Sequence, residues 1–172
     1  HVEVAFRHAA ELLQHALEPA DQQARDDCTR EAAQSADHGD DRDHGVAERV
    51  ARVLEPGDRY LDFVVITHPQ LDHFGGFSEL LAHYRVGAFL VNGRTDAAAE
   101  EEWQALLSEI ERQRIPLITV GAGDAVRYGD ARMAILSPDG AWLHSGELND
   151  TSVVLRVETP AWRALLTGDI GA

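Results

Sequence analysis

The stretch THPQLDHFGG, Thr67 to Gly76, decides how this chain is read. It follows the apolar run LDFVVI (61–66) and precedes the amphipathic FSELLAHY (77–84). Within six residues it holds His68, Asp72 and His73. Imidazole nitrogens and carboxylate oxygens are good ligands for zinc, manganese and iron. A lone histidine is usually structural, but three ligand-type side chains where a buried strand ends point to a metal. On a tight turn Asp72 and His73 are expected to serve one ion while His68 serves another. Gly75 and Gly76 are expected to let the backbone turn sharply into the next helix.

Outward from this motif the chain alternates. YLDFVVIT (60–67) reads as a strand, its continuous apolar character marking it as buried on both faces. GGFSELLAHY reads as a helix and VGAFLVNG (86–93) as a strand closed by Asn92-Gly93. TDAAAEEEWQALLSEIERQR (95–114) is the strongest helix signal. Thr95 or Asp96 is expected to cap it, glutamates fill its first turns, and Arg112 and Arg114 lie near its end. IPLITV is a third strand. AVRY, ARMAILSP, TSVVLRVE and WRALLTGD then read as strands separated by turn residues. Upstream, VAERVARVLEP predicts a short helix stopped by Pro56-Gly57. A strand–helix alternation followed by a run of strands predicts an α/β layered fold with a mixed sheet.

Residues 3–18 read as an amphipathic helix ending near Pro19, and 20–45 as a polar, acidic loop around DHGDDRDHG. His38 and His44 in that loop are ligand types, but a solvated acidic loop is the plainer reading. The domain division is therefore 1–44, helix plus acidic loop without assignment, and 45–172, the layered domain.

Composition narrows the function classes. A chain of 172 residues with 44% hydrophobic content can bury one real core. A single cysteine, Cys28, excludes an intrachain disulfide and a multi-cysteine zinc site. The formal charge is −15, and the 15 basic residues are scattered, so no broad basic nucleic-acid surface is expected. There is no apolar run of about 18 residues to span a membrane. The N-terminus lacks the pattern of a signal peptide. The chain starts with His, which reads as a fragment or processed product, and its compartment is open.

Two further segments gain weight beside THPQLDHFGG. In LLTGDI (165–170) an apolar strand ends in Gly168-Asp169, and an aspartate there is costly unless paired or on a metal. In LNDTSVVLRVE (148–158), Asn149, Asp150 and Ser152 precede a strong strand. Taken singly, each reads as an ordinary turn.

In this order the three segments resemble the metallo-β-lactamase fold superfamily, and most closely the soluble domain of ComEC-type DNA-uptake competence proteins and their free-standing relatives. Those show S/T-H-P-x-x-D-H-x-G-G, then an N-x-x-S strand, then a strand ending L-L-T-G-D. The likeness covers roughly residues 45 to 172. It implies a four-layer αββα sandwich, with one or two ions, Zn2+ or Mn2+, between the sheets and hydrolysis by an activated water. Residue by residue, it implies that His68 ligates the first metal and that Asp72 and His73 ligate the second. Asp169 would bridge the two. Asp72 would also orient or deprotonate the attacking water. Where many relatives place a histidine before the later strand, this chain offers Asn149 and Asp150, with His144 nearby. DHGDD (37–41) resembles an early metal-side loop.

The sequence departs from the pattern at Gln70, which stands where a third imidazole or carboxylate is usual. An amide oxygen is a poorer zinc ligand, so one well-formed site at Asp72, His73 and Asp169 is expected, with the second weak or empty. Relatives also continue past the bridging aspartate to a further histidine and open with extra strands, so an incomplete member is expected. The resemblance implies a hydrolase of phosphodiester bonds, in a small molecule or a nucleic acid. A catalytically inactive binding or scaffold domain and a hydrolase of a small thioester, lactam or lactone stand as alternatives. A free-standing protein would be cytoplasmic, and part of a competence channel would be extracytoplasmic. Trp103 is expected in the core; Trp142 could equally line a cleft.

Overall fold

The computed structural model describes residues 45–141, 143 and 147–170. The expected N-terminal helix, the acidic loop with Cys28, His38 and His44, and the candidates Trp142 and His144 lie outside the described residues.

The elements run α1 (Gly45–Val53), β1 (Tyr60–Leu61), β2 (Val64–Ile66), α2 (Leu71–Phe74), α3 (Phe77–His83), β3 (Arg85–Val86) and β4 (Phe89–Val91). They continue α4 (Glu100–Arg112), β5 (Leu117–Thr119), β6 (Ala125–Tyr128), β7 (Ala131–Ser137), a 3-10 turn (Asn149–Thr151), β8 (Val154–Glu158) and β9 (Arg163–Leu166). A parallel sheet has the order β2-β4-β5, extended at one end by the short parallel pair β1-β3. An antiparallel sheet runs β6-β7-β8-β9 in sequence order.

Side chains alternate between the two faces of a strand, and the parallel sheet divides its apolar residues accordingly. Val64, Ile66, Phe89 and Val91 join the helix-side core with Leu80, Leu81, Trp103, Leu106 and Ile110. Their sequence neighbours Val65 and Leu90, together with Ile118, face the other way. There they meet Val126, Met133, Ile135, Leu155 and Val157 of the antiparallel sheet. A strand buried on both faces therefore serves two cores, which is why its sequence is continuously apolar. The result is a stack of helices, parallel sheet and antiparallel sheet. These are three of the four layers of an αββα sandwich, and among the described residues no helix packs on the outer face of the antiparallel sheet.

Two expectations change in detail. The single strand expected over 60–67 is two, β1 and β2, because the ladder is interrupted at Asp62-Phe63 opposite Gly87-Ala88. A side chain at 87 would put its Cβ 2.5 Å from the Asp62 carbonyl oxygen, so only glycine lets the strands approach there. The long helix begins at Glu100, with Ala99 at its cap position and no side-chain cap. Asp96 lies three residues before that position, and its carboxylate instead accepts from Arg94, from Nε at 2.8 Å and Nη2 at 2.9 Å. Glu100, Glu101 and Glu102 in the first turn and Arg112 in the last still complement the helix dipole.

The carboxyl ends of parallel strands are where such sheets present ligand sites. Here β2 ends at Thr67-His68 and β4 at Asn92. The amide of Val153 donates to the Thr67 carbonyl at 2.9 Å, tying the segment before β8 to the end of β2. That link brings the second sheet to the motif.

Candidate metal centre

His68 is fully buried at the end of β2. Its Nδ1 lies 3.0 Å from the Thr67 hydroxyl and 3.2 Å from the Ser152 hydroxyl. Its Nε2 lies 3.1 Å from the Gln70 amide oxygen. Burial holds the imidazole pKa below its ordinary value, against a smaller opposing effect of the Gln70 hydrogen bond. The ring is therefore neutral at neutral pH, the form that binds a metal.

After Pro69 the chain enters α2, the single turn that carries Asp72 and His73. Gln70 occupies its cap position without capping it, since its side chain reaches back to His68. The turn is anchored by Phe74, 2% exposed, whose ring packs edge-on against Trp103 at 5.0 Å. Trp103 is thus a core residue, as its place on the helix predicts. Gly75 and Gly76 both have ordinary right-handed helical backbone angles, so neither is needed for an unusual turn. Gly75 is required for closeness instead: a Cβ there would lie 2.7 Å from the Leu71 carbonyl oxygen.

The opposite wall comes from the end of β9. Gly168 has φ +60°, a region that favours glycine, and a Cβ there would press on Ser152 at 3.0 Å and Thr67 at 3.3 Å. This close fit sets Asp169 beside the motif. Asn149 donates from Nδ2 to Asp169 Oδ2 at 2.7 Å, fixing that carboxylate. His73 Nε2 lies 3.8 Å from Asp169 Oδ2 and 3.7 Å from Asp72 Oδ2. The His68 and His73 rings stand 4.1 Å apart between centroids.

His68, His73 and Asp169 therefore converge. One ligand atom from each lies within 4.8 Å of the others, a spacing that one divalent ion can fill. Asp72 touches His73 but is outside this trio, and its side chain is 64% exposed. Asn149 reaches the trio through Asp169 and Ser152 through His68, while Asp150 lies outside it in the same 3-10 turn. Gln70 does stand at the site, on His68. The grouping differs from the expected division in two respects: His68 and His73 face one point, not two, and Asp72 is not among the three.

Sequence reading passed over Thr67, Asn92 and Thr151. Asn92 is buried, and its amide donates to the Thr151 carbonyl at 3.0 Å and hydroxyl at 3.2 Å. Its own oxygen accepts from the Arg94 amide at 3.0 Å. The available signal was the one used for Asp169, a polar residue directly after an apolar strand. In the sequence alone Asn92-Gly93 reads as the close of a strand and nothing more.

Two imidazoles and a carboxylate at the carboxyl ends of a layered α/β fold form a group that could hold a metal ion. The chain belongs to the metallo-beta-lactamase superfamily, whose sequence profile matches residues 36–172. Members of this superfamily are for the most part metal-dependent hydrolases holding one or two ions. The chain is 27% identical over 114 residues to ComE operon protein 3 of Bacillus subtilis (strain 168). That match covers 66% of this chain and 14% of the relative, so the chain spans about one seventh of that protein's length. Among solved structures it is similar to CmlA, a diiron beta-hydroxylase from Streptomyces venezuelae. The TM-score is 0.45 at 18% identity, covering 65% of this chain and 21% of that one. Among the described residues no helix is long and apolar enough to cross a membrane.

Proposed function

We propose that this domain is a metal-dependent hydrolase of phosphodiester bonds. One ion, Zn2+ or Mn2+, would be held by His68, His73 and Asp169. The observation that carries this reading is the convergence of those three ligand atoms within 4.8 Å. A bound divalent ion supplies charge to stabilise an anionic transition state and makes a water acidic enough to attack near neutral pH.

The chain's own residues then have distinct tasks. His68, neutral and buried, would present Nε2 to the ion once the Gln70 amide withdraws from it, while the hydroxyls of Thr67 and Ser152 engage Nδ1. Asn149 holds the Asp169 carboxylate in place. Asp72, largely exposed and close to His73, would orient a water and accept its proton. The carboxylates near the trio disfavour a polyanion without a cation between them, so catalysis should require added metal.

Phosphodiester specificity draws its support from the motif order that resembles the competence-type DNA-uptake proteins. The test is hydrolysis of bis-p-nitrophenyl phosphate with Mn2+ or Zn2+. Activity that Asp72→Ala abolishes, in a chain that still folds and binds metal, supports the proposal. Activity indifferent to that change defeats it.

A second reading, an inactive binding domain, is favoured by one specific observation: Gln70 already occupies the Nε2 side of His68. Metal binding without turnover of any phosphodiester, thioester or lactone would select it.

A further inference from the structure

The contacts of His68 fix more than its position. A neutral imidazole carries one proton, so one ring nitrogen donates and the other accepts. The atom facing Nε2 is the Gln70 amide oxygen, at 3.1 Å, and an amide oxygen only accepts. With that oxygen facing it, Nε2 would carry the proton and Nδ1 would accept. Its two neighbours, the hydroxyls of Thr67 at 3.0 Å and Ser152 at 3.2 Å, can each donate to it. In this arrangement Nε2 is protonated and covered, and it is not a ligand.

The opposite tautomer is equally well accommodated on the buried side. Hydroxyls accept as readily as they donate. When Nε2 loses its proton, Nδ1 can gain one and give it to Thr67 or Ser152, with only rotation of the O–H bonds. The ring carries one proton before and after, so no charge is created in a buried place. Gln70, part of the short turn that opens α2, is the partner that must withdraw. Asn92 steadies this machinery from the next strand, holding Thr151 and so the segment that carries Ser152.

We infer that Gln70 is a cap on the metal position and that Thr67 and Ser152 form a paired hydroxyl seat that lets His68 exchange tautomers when an ion displaces the cap. This rests on the metal reading above, and it names positioning residues: neither hydroxyl need touch the ion. It also gives Gln70 a role opposite to that of a ligand. The amide competes with the metal for His68, lowering affinity, where a carboxylate or imidazole at the same place would raise it.

Long-range 1H–15N correlation spectra of the metal-free chain, followed by titration with Zn2+, test this directly. The His68 ring is identified by its shift in Gln70→Ala. The inference expects Nε2–H in the metal-free chain and Nδ1–H once Zn2+ is bound. Calorimetric titration with Zn2+ and with Mn2+ should show Gln70→Ala binding roughly twofold to tenfold more tightly, as fits removal of one competing neutral hydrogen bond. The double variant T67V/S152A should bind roughly tenfold to a hundredfold more weakly, the usual effect of removing the partner of a ligating histidine. Melting curves check that both variants fold, and the wild-type spectra stand whatever the variants do. An Nδ1–H tautomer in the metal-free chain would overturn the inference. So would weaker metal binding by Gln70→Ala, which would make Gln70 a ligand. If no variant binds metal while His68 keeps Nε2–H, the metal reading itself has failed, and the inference falls with it.

Discussion

The two walls of the candidate centre are built differently. The His68 wall is buried and cross-linked: His68, Ser152 and Thr151 are fully buried, and hydrogen bonds join β2, β4 and the segment before β8. The other wall, formed by Asp72, His73 and Asp169, is partly open to solvent. Two carboxylates approach one imidazole there at 3.7 and 3.8 Å, too far for hydrogen bonds. The buried wall is organised by the fold alone. The open wall sets two carboxylates about one imidazole, with Asn149 steadying one of them, an arrangement that a cation would complete. Folding and metal binding are thus assigned to different residues, and substitutions should separate them.

The largest effect on folding should come from the anchor beneath the open wall. Phe74→Ala should cost about 3–5 kcal/mol, the range for emptying a buried aromatic site, read from urea unfolding. A loss below about 1 kcal/mol would mean that α2 does not depend on its packing against Trp103. Next, His73→Ala should leave the unfolding midpoint nearly unchanged in metal-free protein while weakening Zn2+ binding at least about a hundredfold, on the scale of losing a ligand. A folding defect as large as the metal defect would erase the contrast between the walls. Asn92→Ala should have an intermediate effect, about 1–3 kcal/mol for unsatisfied buried partners, with a secondary loss of metal affinity through Ser152.

The smallest effect lies away from both walls. On α4, Glu109 accepts from Arg112 and Gln113, which hold its carboxyl down to about 2 from the usual 4.5. A depressed acid pKa contributes stability above the unfolded value and loses it as pH falls through the folded one. Glu109→Gln should therefore melt slightly below wild type at neutral pH, and the difference should fade as pH drops through 4.5 towards about 2. The pair is at the surface, so the change should be small and reduced by salt. A difference that persists at low pH would assign it to packing.

How much of this was legible in the sequence follows from the range of each interaction. The alternation of elements, the helix stopped by Pro56-Gly57 and the choice of His68, His73 and Asp169 as ligand candidates all rest on local pattern or a motif. The helix starts at Glu100, later than Thr95 or Asp96 would cap it, and the pairing of Asp96 with Arg94 is a contact between side chains that no propensity encodes. The convergence of His68 and His73 on one point depends on the path of the α2 turn. The roles of Thr67 and Asn92 depend on residues far along the chain, Ser152 and Thr151, which only the assembled sheets bring near. Gln70 shows the limit most clearly. Its identity signalled a missing ligand, but its contact with Nε2 is a fact of geometry.

The most direct test of the central claim is calorimetric titration of the metal-free chain with Zn2+ and Mn2+, beside the same titration of His73→Ala. The account predicts saturable binding of at least one ion by the wild-type chain, a raised melting temperature on binding, and loss of both in the variant. No saturable binding and no thermal shift with either metal would contradict it.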